Sequence, residues 1–174
     1  SVDFVYTPTH HIDIMCTLLG DVAPTATEWT EQGLDKYGVI AVLKSDDSTG
    51  SSVPEAAQVE KVSHETATQM LEQLGTIGQV GPSLGSFSIS AAMVDGLCTE
   101  FATELREKQS KLDTDPHFWM PMTLPKDSYV TLMKQKGVEE SISTTHYDRM
   151  KSFSTTFLAN DPTKLGLFGA VDVG

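Results

Sequence analysis

Cysteine is scarce in this chain: Cys16 and Cys98 are the only two in 174 residues. They form no CxxC and have no spacing that suggests zinc, which argues against a disulfide scaffold or a zinc module. Each sits in an apolar segment and reads as a buried, reduced thiol, which points to a cytosolic, cytoplasmic protein. Cationic residues are scarce as well, with 12 Lys and Arg against 24 Asp and Glu, a net charge of -12. A field of that sign repels DNA and acidic membrane surfaces, so nucleic acid is not an expected partner. Small phosphates stay open, because a bound divalent cation reverses the local sign. Long apolar runs are missing too. No stretch of about 18 apolar residues occurs, so no membrane span is expected, and no charged-then-apolar opening marks a signal peptide.

What is present suits a globular domain. The chain is 39% hydrophobic and 21% charged, enough to bury a core as one domain or as part of a larger one. Val2-Asp3-Phe4-Val5-Tyr6 reads as a short strand that ends before Pro8. Ile12, Met15, Cys16 and Leu19 fall at helical spacing and predict a helix over 12–19, stopped by Gly20. Gly38–Leu43 is a nearly continuous apolar run, the pattern of a strand buried on both faces. Residues 45–54 read as a loop, and 57–62 as a strand. Ser63 then caps a helix running to Leu74, with Gly75 closing it.

Residues 84–88 read as a strand leading into a helix over 90–108. In that helix Ile89, Met93, Leu97, Phe101 and Leu105 recur every four residues as a core-facing stripe. Weaker helices are expected near 128–136 and 144–153, and an apolar strand over 165–173. The alternation predicts a single α/β domain over 1–174, with a mixed or mainly parallel sheet flanked by helices. Both ends fall in mid-strand, so the chain reads as a fragment of a larger domain. A sheet cut in this way predicts self-association through exposed sheet edges.

Four constellations could carry chemistry. Thr9-His10-His11-Ile12-Asp13 clusters two imidazoles with a carboxylate, and its composition resembles the strand-end T-H-x-H-x-D-H motif of metallo-β-lactamase-like hydrolases. The spacing differs, because adjacent side chains on extended backbone point to opposite faces and cannot share one metal. Asp113, Asp115 and His117 lie with Phe118 and Trp119 in a proline-bounded stretch that reads as a loop. His146 and Arg149, spaced i, i+3, share one face of an expected helix, which is either a phosphate contact or a solvated surface. Finally, Asp3 and Asp172 both lie near the ends of hydrophobic strands, where open α/β sheets bind ligands. Carboxylates of that kind hold hard divalent cations together with substrate phosphates.

The order of segments resembles the sugar-1-phosphate nucleotidylyltransferases. In that family a metal-binding aspartate precedes a strand reading F/Y-G-V-V, then E-K-P, then G-x-Y/F, and finally W-x-D-x-G with a second metal aspartate. Here Asp3 is followed by Tyr37-Gly38-Val39-Ile40, Val59-Glu60-Lys61, Leu84-Gly85-Ser86-Phe87 and Ala170-Val171-Asp172-Val173-Gly174. The resemblance implies a Rossmann-like fold related to the C-terminal part of a nucleotide-diphospho-sugar transferase. It implies magnesium on Asp3 and Asp172, sugar hydroxyls on Glu60, and the sugar phosphate on Lys61, with Lys61 and Asp172 serving catalysis. Gly85 would let the backbone approach the sugar. The implied reaction joins a sugar 1-phosphate to the α-phosphate of a nucleoside triphosphate and releases pyrophosphate.

Two departures stand out. Val62 replaces the proline after Glu60-Lys61, and the family's G-x-G-T/S-R/K nucleotide loop has no counterpart here. The glycine-rich stretch Gly75-Thr76-Ile77-Gly78-Gln79-Val80-Gly81 follows a helix and does not suit that role. The expected activity is therefore the sugar-side and metal-binding portion of the enzyme. The alternatives are a non-catalytic α/β binding domain and a metal-dependent hydrolase using His10, His11 and Asp13.

Overall fold

The first described strand forms where helical spacing suggested a helix. The computed structural model describes residues 10–20, 23–44, 55–109, 115–160 and 166–174. Within them Ile12, Ile14 and Cys16 alternate along β1 (Ile12–Cys16). Apolar residues at 12, 15, 16 and 19 fit a helix, but 12, 14 and 16 fit a strand equally well. Partners decide between the two, because β1 lies inside the sheet and is hydrogen-bonded along both of its edges. The expected strand at 2–6 and the loop at 45–54 lie outside the described residues.

The other strands are β2 (Gly38–Leu43), β3 (Ala56–Glu60), β4 (Ile77–Ile89) and β5 (Phe168–Asp172). Among the described residues they form with β1 one five-stranded sheet in the order β3-β2-β4-β1-β5. It is a mixed sheet in an α/β fold. Of the two expected forms, mixed or mainly parallel, the sheet takes the mixed one: among the described residues only β1 and β5 run parallel and the other three pairings are antiparallel.

Strand β4 bridges the two halves of this sheet. Its first half pairs with β2, from Ile77 to Pro82, and its second half pairs with β1, from Ser83 to Ile89. The register moves from Ile14 opposite Phe87 to Cys16 opposite Ser83, so β4 carries two extra residues there. Gly85 sits in this bulge at φ 71, a left-handed conformation that favours glycine. The glycine-rich stretch 75–81 is largely the start of β4. Gly81 lies directly under the backbone leaving β1: a Cβ on it would stand 1.6 Å from the Thr17 carbonyl oxygen.

Helices cover both faces. Val39, Ala41, Ala57, Val59 and Val80 pack against α1 (Ala26–Glu31), α2 (His64–Leu71) and α6 (Lys126–Gln135) through Trp29, Met70, Leu71, Tyr129 and Leu132. Thr25 and Glu28 form a reciprocal capping box on α1, and Ser63 caps α2 as expected. On the other face Ile12, Ile14, Cys16, Ile40 and Phe168 meet Met93, Phe118, Trp119 and Met150. Met93 comes from α3 (Ala91–Glu100), and Met150 from α7 (Glu140–Ala159).

Three expectations change here. The helix over 90–108 breaks at Phe101 into α3 and α4 (Ala102–Glu107). Only Met93 of its stripe is fully buried, while Leu105 is 44% exposed. Cys98 is exposed rather than buried; Cys16 is buried. The stretch expected as a loop is helical from Asp115, with a π-turn over Asp115–Trp119 running into α5 (Met120–Thr123). Pro116 and Pro121 each stand near the start of their helical piece, where no intrahelical N–H is needed.

Edge strand β3 is buried along all five residues. Of the sheet edges expected to be exposed, β5 is open only toward its C-terminal end. Among the described residues, no helix is long and apolar enough to cross a membrane.

Candidate functional site

One transverse row of the sheet joins five sequence segments, one from each strand. Glu60 on β3 stands opposite Gly38 on β2. Gly38 stands beside Ser83 on β4, whose Cβ lies 3.4 Å from the position a Gly38 Cβ would take. Ser83 is opposite Cys16, and Cys16 is opposite Asp172. Residues directly opposite in a ladder present their side chains to the same face. The row therefore places the candidate sugar carboxylate Glu60 and the candidate metal carboxylate Asp172 along one line, at the two outer strands.

Lys61 joins this row through its backbone. Its φ is 51, the only positive value at a non-glycine position among the described residues. Along an extended strand, successive side chains point to opposite faces. The left-handed turn at Lys61 brings its Nζ within 2.7 Å of Glu60 Oε1 instead. Its N–H also donates to the Tyr37 carbonyl at 3.1 Å. The Glu60 side chain is only 10% exposed, whereas that of Lys61 is 61% exposed. The result is an ion pair half in and half out of solvent.

Asp172 closes the other end of the row. Its Oδ1 accepts from the Gly174 N–H at 3.0 Å and from the Leu18 N–H at 3.4 Å. The side chain is exposed and offers the hard oxygen donor that a divalent cation requires. Asp3, the other expected magnesium ligand, lies outside the described residues. Cys16 does not act as a nucleophile at this row, because burial and then Asp172 push its thiol up to about 11. Gly85 lies in the adjacent bulge with no atom within 4 Å of where a Cβ would stand, and its N–H donates to Ser83 Oγ at 3.2 Å.

The histidine cluster is organised differently. His10 and His11 are both buried. The His10 ring lies beside Asp13, with Nδ1 3.8 Å from Oδ1, and the His11 ring packs edge-on against Phe157. Among the described residues no three His, Cys, Asp or Glu side chains are grouped to hold a metal ion. Asp113 lies outside the described residues, Asp115 opens the π-turn, and the His117 carbonyl is bonded to His146 Nε2 at 2.8 Å.

Arg149 is not presented to a phosphate. It binds Glu100 at 2.8 Å, also binds Glu104, and stacks over the Phe101 ring. These contacts tie α7 to α3 and α4.

Gly38, Gln58 and Ser83 belong to the row or its margin and were not assigned roles from the sequence. Gln58 was legible in principle, since it lies two residues before Glu60 and so shares its face. Ser83 depended on the long-range register of β4. Comparison with known protein families, with curated proteins and with solved structures finds no match to this chain.

Proposed function

We propose that this chain carries the sugar-phosphate and divalent-cation side of a sugar-1-phosphate nucleotidylyltransferase. The observation that supports the reading is the row itself: Glu60 and Asp172 stand at its two ends, with Lys61 beside Glu60 and Gly85 in the bulge next to Ser83. In this reading Glu60 accepts from sugar hydroxyls, and the exposed Lys61 ammonium neutralises the sugar phosphate. The bulge at Gly85 leaves the backbone open to the ring. Asp172, with Asp3, would hold magnesium, which supplies charge neutralisation for the triphosphate when bound.

The reaction needs positioning and charge compensation more than a strong base. An oxygen of the sugar phosphate bonds to the α-phosphorus while the bond to the departing pyrophosphate breaks. A nucleophile on the protein has no part in this, which agrees with the inert Cys16. The nucleoside triphosphate needs a phosphate-cradling loop besides the residues named here.

The test is thermal unfolding with magnesium and glucose 1-phosphate as the probe. At about 100 times the dissociation constant, a ligand specific for the folded state raises Tm by about 5–10 °C in a chain of this size. Asp172→Ala should abolish the magnesium-dependent part. A second reading, a non-catalytic α/β binding domain, is favoured by the hydrogen bonds Asp172 makes to Leu18 and Gly174, which resemble a turn cap. Under it, neither ligand moves Tm, and Asp172→Ala lowers Tm in their absence.

A further inference from the structure

A pocket of about 230 Å³ opens between α1, α2 and the start of β4. Its inner wall is formed by Trp29, Ala67, Leu71 and Val80, all buried. These four belong to the core on one face of the sheet. The row of Glu60 and Asp172 lies on the other face, with Cys16.

The polar groups of this wall are bonded within the protein. Trp29 Nε1 donates to the Val62 carbonyl at 3.2 Å, and His64 Nε2 bonds the Pro24 carbonyl at 2.9 Å. The Thr68 hydroxyl donates to the His64 carbonyl, also at 2.9 Å. A guest lying against the wall is therefore held by apolar and aromatic contact.

The rim has a different character. Glu72, just after α2, and Thr76, just before β4, line the pocket and are exposed. Gly75 keeps the mouth clear, since no atom lies within 4 Å of where its Cβ would stand. Among the described residues Glu72 forms no ion pair. Neither lysine nor arginine lines the pocket. An unneutralised carboxylate in a chain of net charge -12 attracts cations and repels anions.

We infer that this pocket binds a small amine with an apolar body, its ring against Trp29 and its ammonium at the Glu72 carboxylate. A dry cavity of about 150 Å³ takes up benzene. The volume here accommodates one ring and a short chain. An anionic sugar phosphate suits neither the wall nor the rim, so this site is independent of the function proposed above.

The experiment is titration with phenethylamine, followed through the indole N–H NMR signal of Trp29. Phenylethanol keeps the ring without the charge, and phenylpropionate reverses the charge. Phenethylamine is expected to move the Trp29 signal saturably and to leave that of Trp119, on the other face, in place. Phenylethanol should bind about three- to fivefold more weakly, the worth of an exposed ion pair, and phenylpropionate more weakly still. Glu72→Gln, at an exposed position, should bring the amine down to the affinity of the alcohol. Ala67→Leu fills the pocket and should abolish binding of all three.

A Trp29 signal that phenethylamine does not move overturns the site, as does undiminished binding in folded Ala67→Leu. Equal affinities for amine and alcohol in the wild type overturn the cationic assignment. Unchanged amine affinity in Glu72→Gln overturns the role of that carboxylate, whether or not Ala67→Leu folds.

Discussion

The imidazole of His10 fills the room that Gly169 leaves by having no side chain. A Cβ on Gly169 would stand 2.6 Å from His10 Nδ1 and 3.0 Å from Cε1. Gly166 borders the same ring, its Cβ position lying 3.2 Å from Cδ2. A fully buried imidazole is thus seated against the start of β5, with Asp13 beside it.

Gly169→Ala should therefore destabilise the fold. The ring is rigid and its side chain has no exposed surface, so it cannot yield. Overpacking of this kind costs about 1–3 kcal/mol. Urea unfolding measures it, and His10→Ala combined with Gly169→Ala should recover part of the loss relative to simple addition.

Stability should also depend on pH through His10. Burial lowers its pKa from the ordinary 6.5, against the raising influence of Asp13 and Glu55. The unfolded chain then takes up this proton more readily than the folded one does. The contribution is fully present above pH 6.5 and is lost as pH falls below that value toward the folded pKa. Denaturation curves at pH 7.5 and 5.5 should diverge more for wild type than for His10→Asn. Equal divergence removes His10 as the cause.

The two thiols should differ sharply in reactivity. Cys98 is exposed on α3, whereas Cys16 is buried and its thiol is pushed up to about 11. Because the thiolate is the reactive form, alkylation of the native protein at pH 8 should label Cys98 alone. Cys16 should react only after unfolding, which mass spectrometry of the labelled peptides resolves.

Tyr129 anchors the π-turn. Its hydroxyl donates to the Pro116 carbonyl at 2.9 Å from a side chain that is 1% exposed. Tyr129→Phe removes that donor and should cost about 1 kcal/mol. Burial also pushes the phenol up to about 12 from 10.0. The folded state therefore favours the neutral ring, a contribution present below pH 10 and lost as pH rises toward 12. Alkaline unfolding should be shallower in the phenylalanine variant.

Much of the local structure was legible. Gly38–Leu43, the helix capped by Ser63 and the terminal apolar strand carried their own signals of apolar pattern, cap and glycine stop. The strand at 12–16 was not legible, because its apolar residues satisfy two periods at once. The helical turns at 115–123 were hidden by prolines, which mark loops unless they stand in a first turn. The stripe on 89–105 marked a helix correctly but overstated its burial, since periodicity reports which face is apolar and not what packs on it.

The candidate site divides in the same way. Glu60, Lys61, Gly85 and Asp172 could be singled out by residue type and order. The left-handed turn at Lys61 and the two-residue bulge in β4 could not. Sequence alone determined the acidic charge, the alternation of strands and helices, and the caps, because these depend on residue type and on neighbours within a few positions. Tertiary structure alone decided that β1 is a strand, that the sheet is mixed, and that Glu60 and Asp172 share a row. Those facts depend on which distant backbone hydrogen bonds are made, and register between strands is set only when both partners are in place.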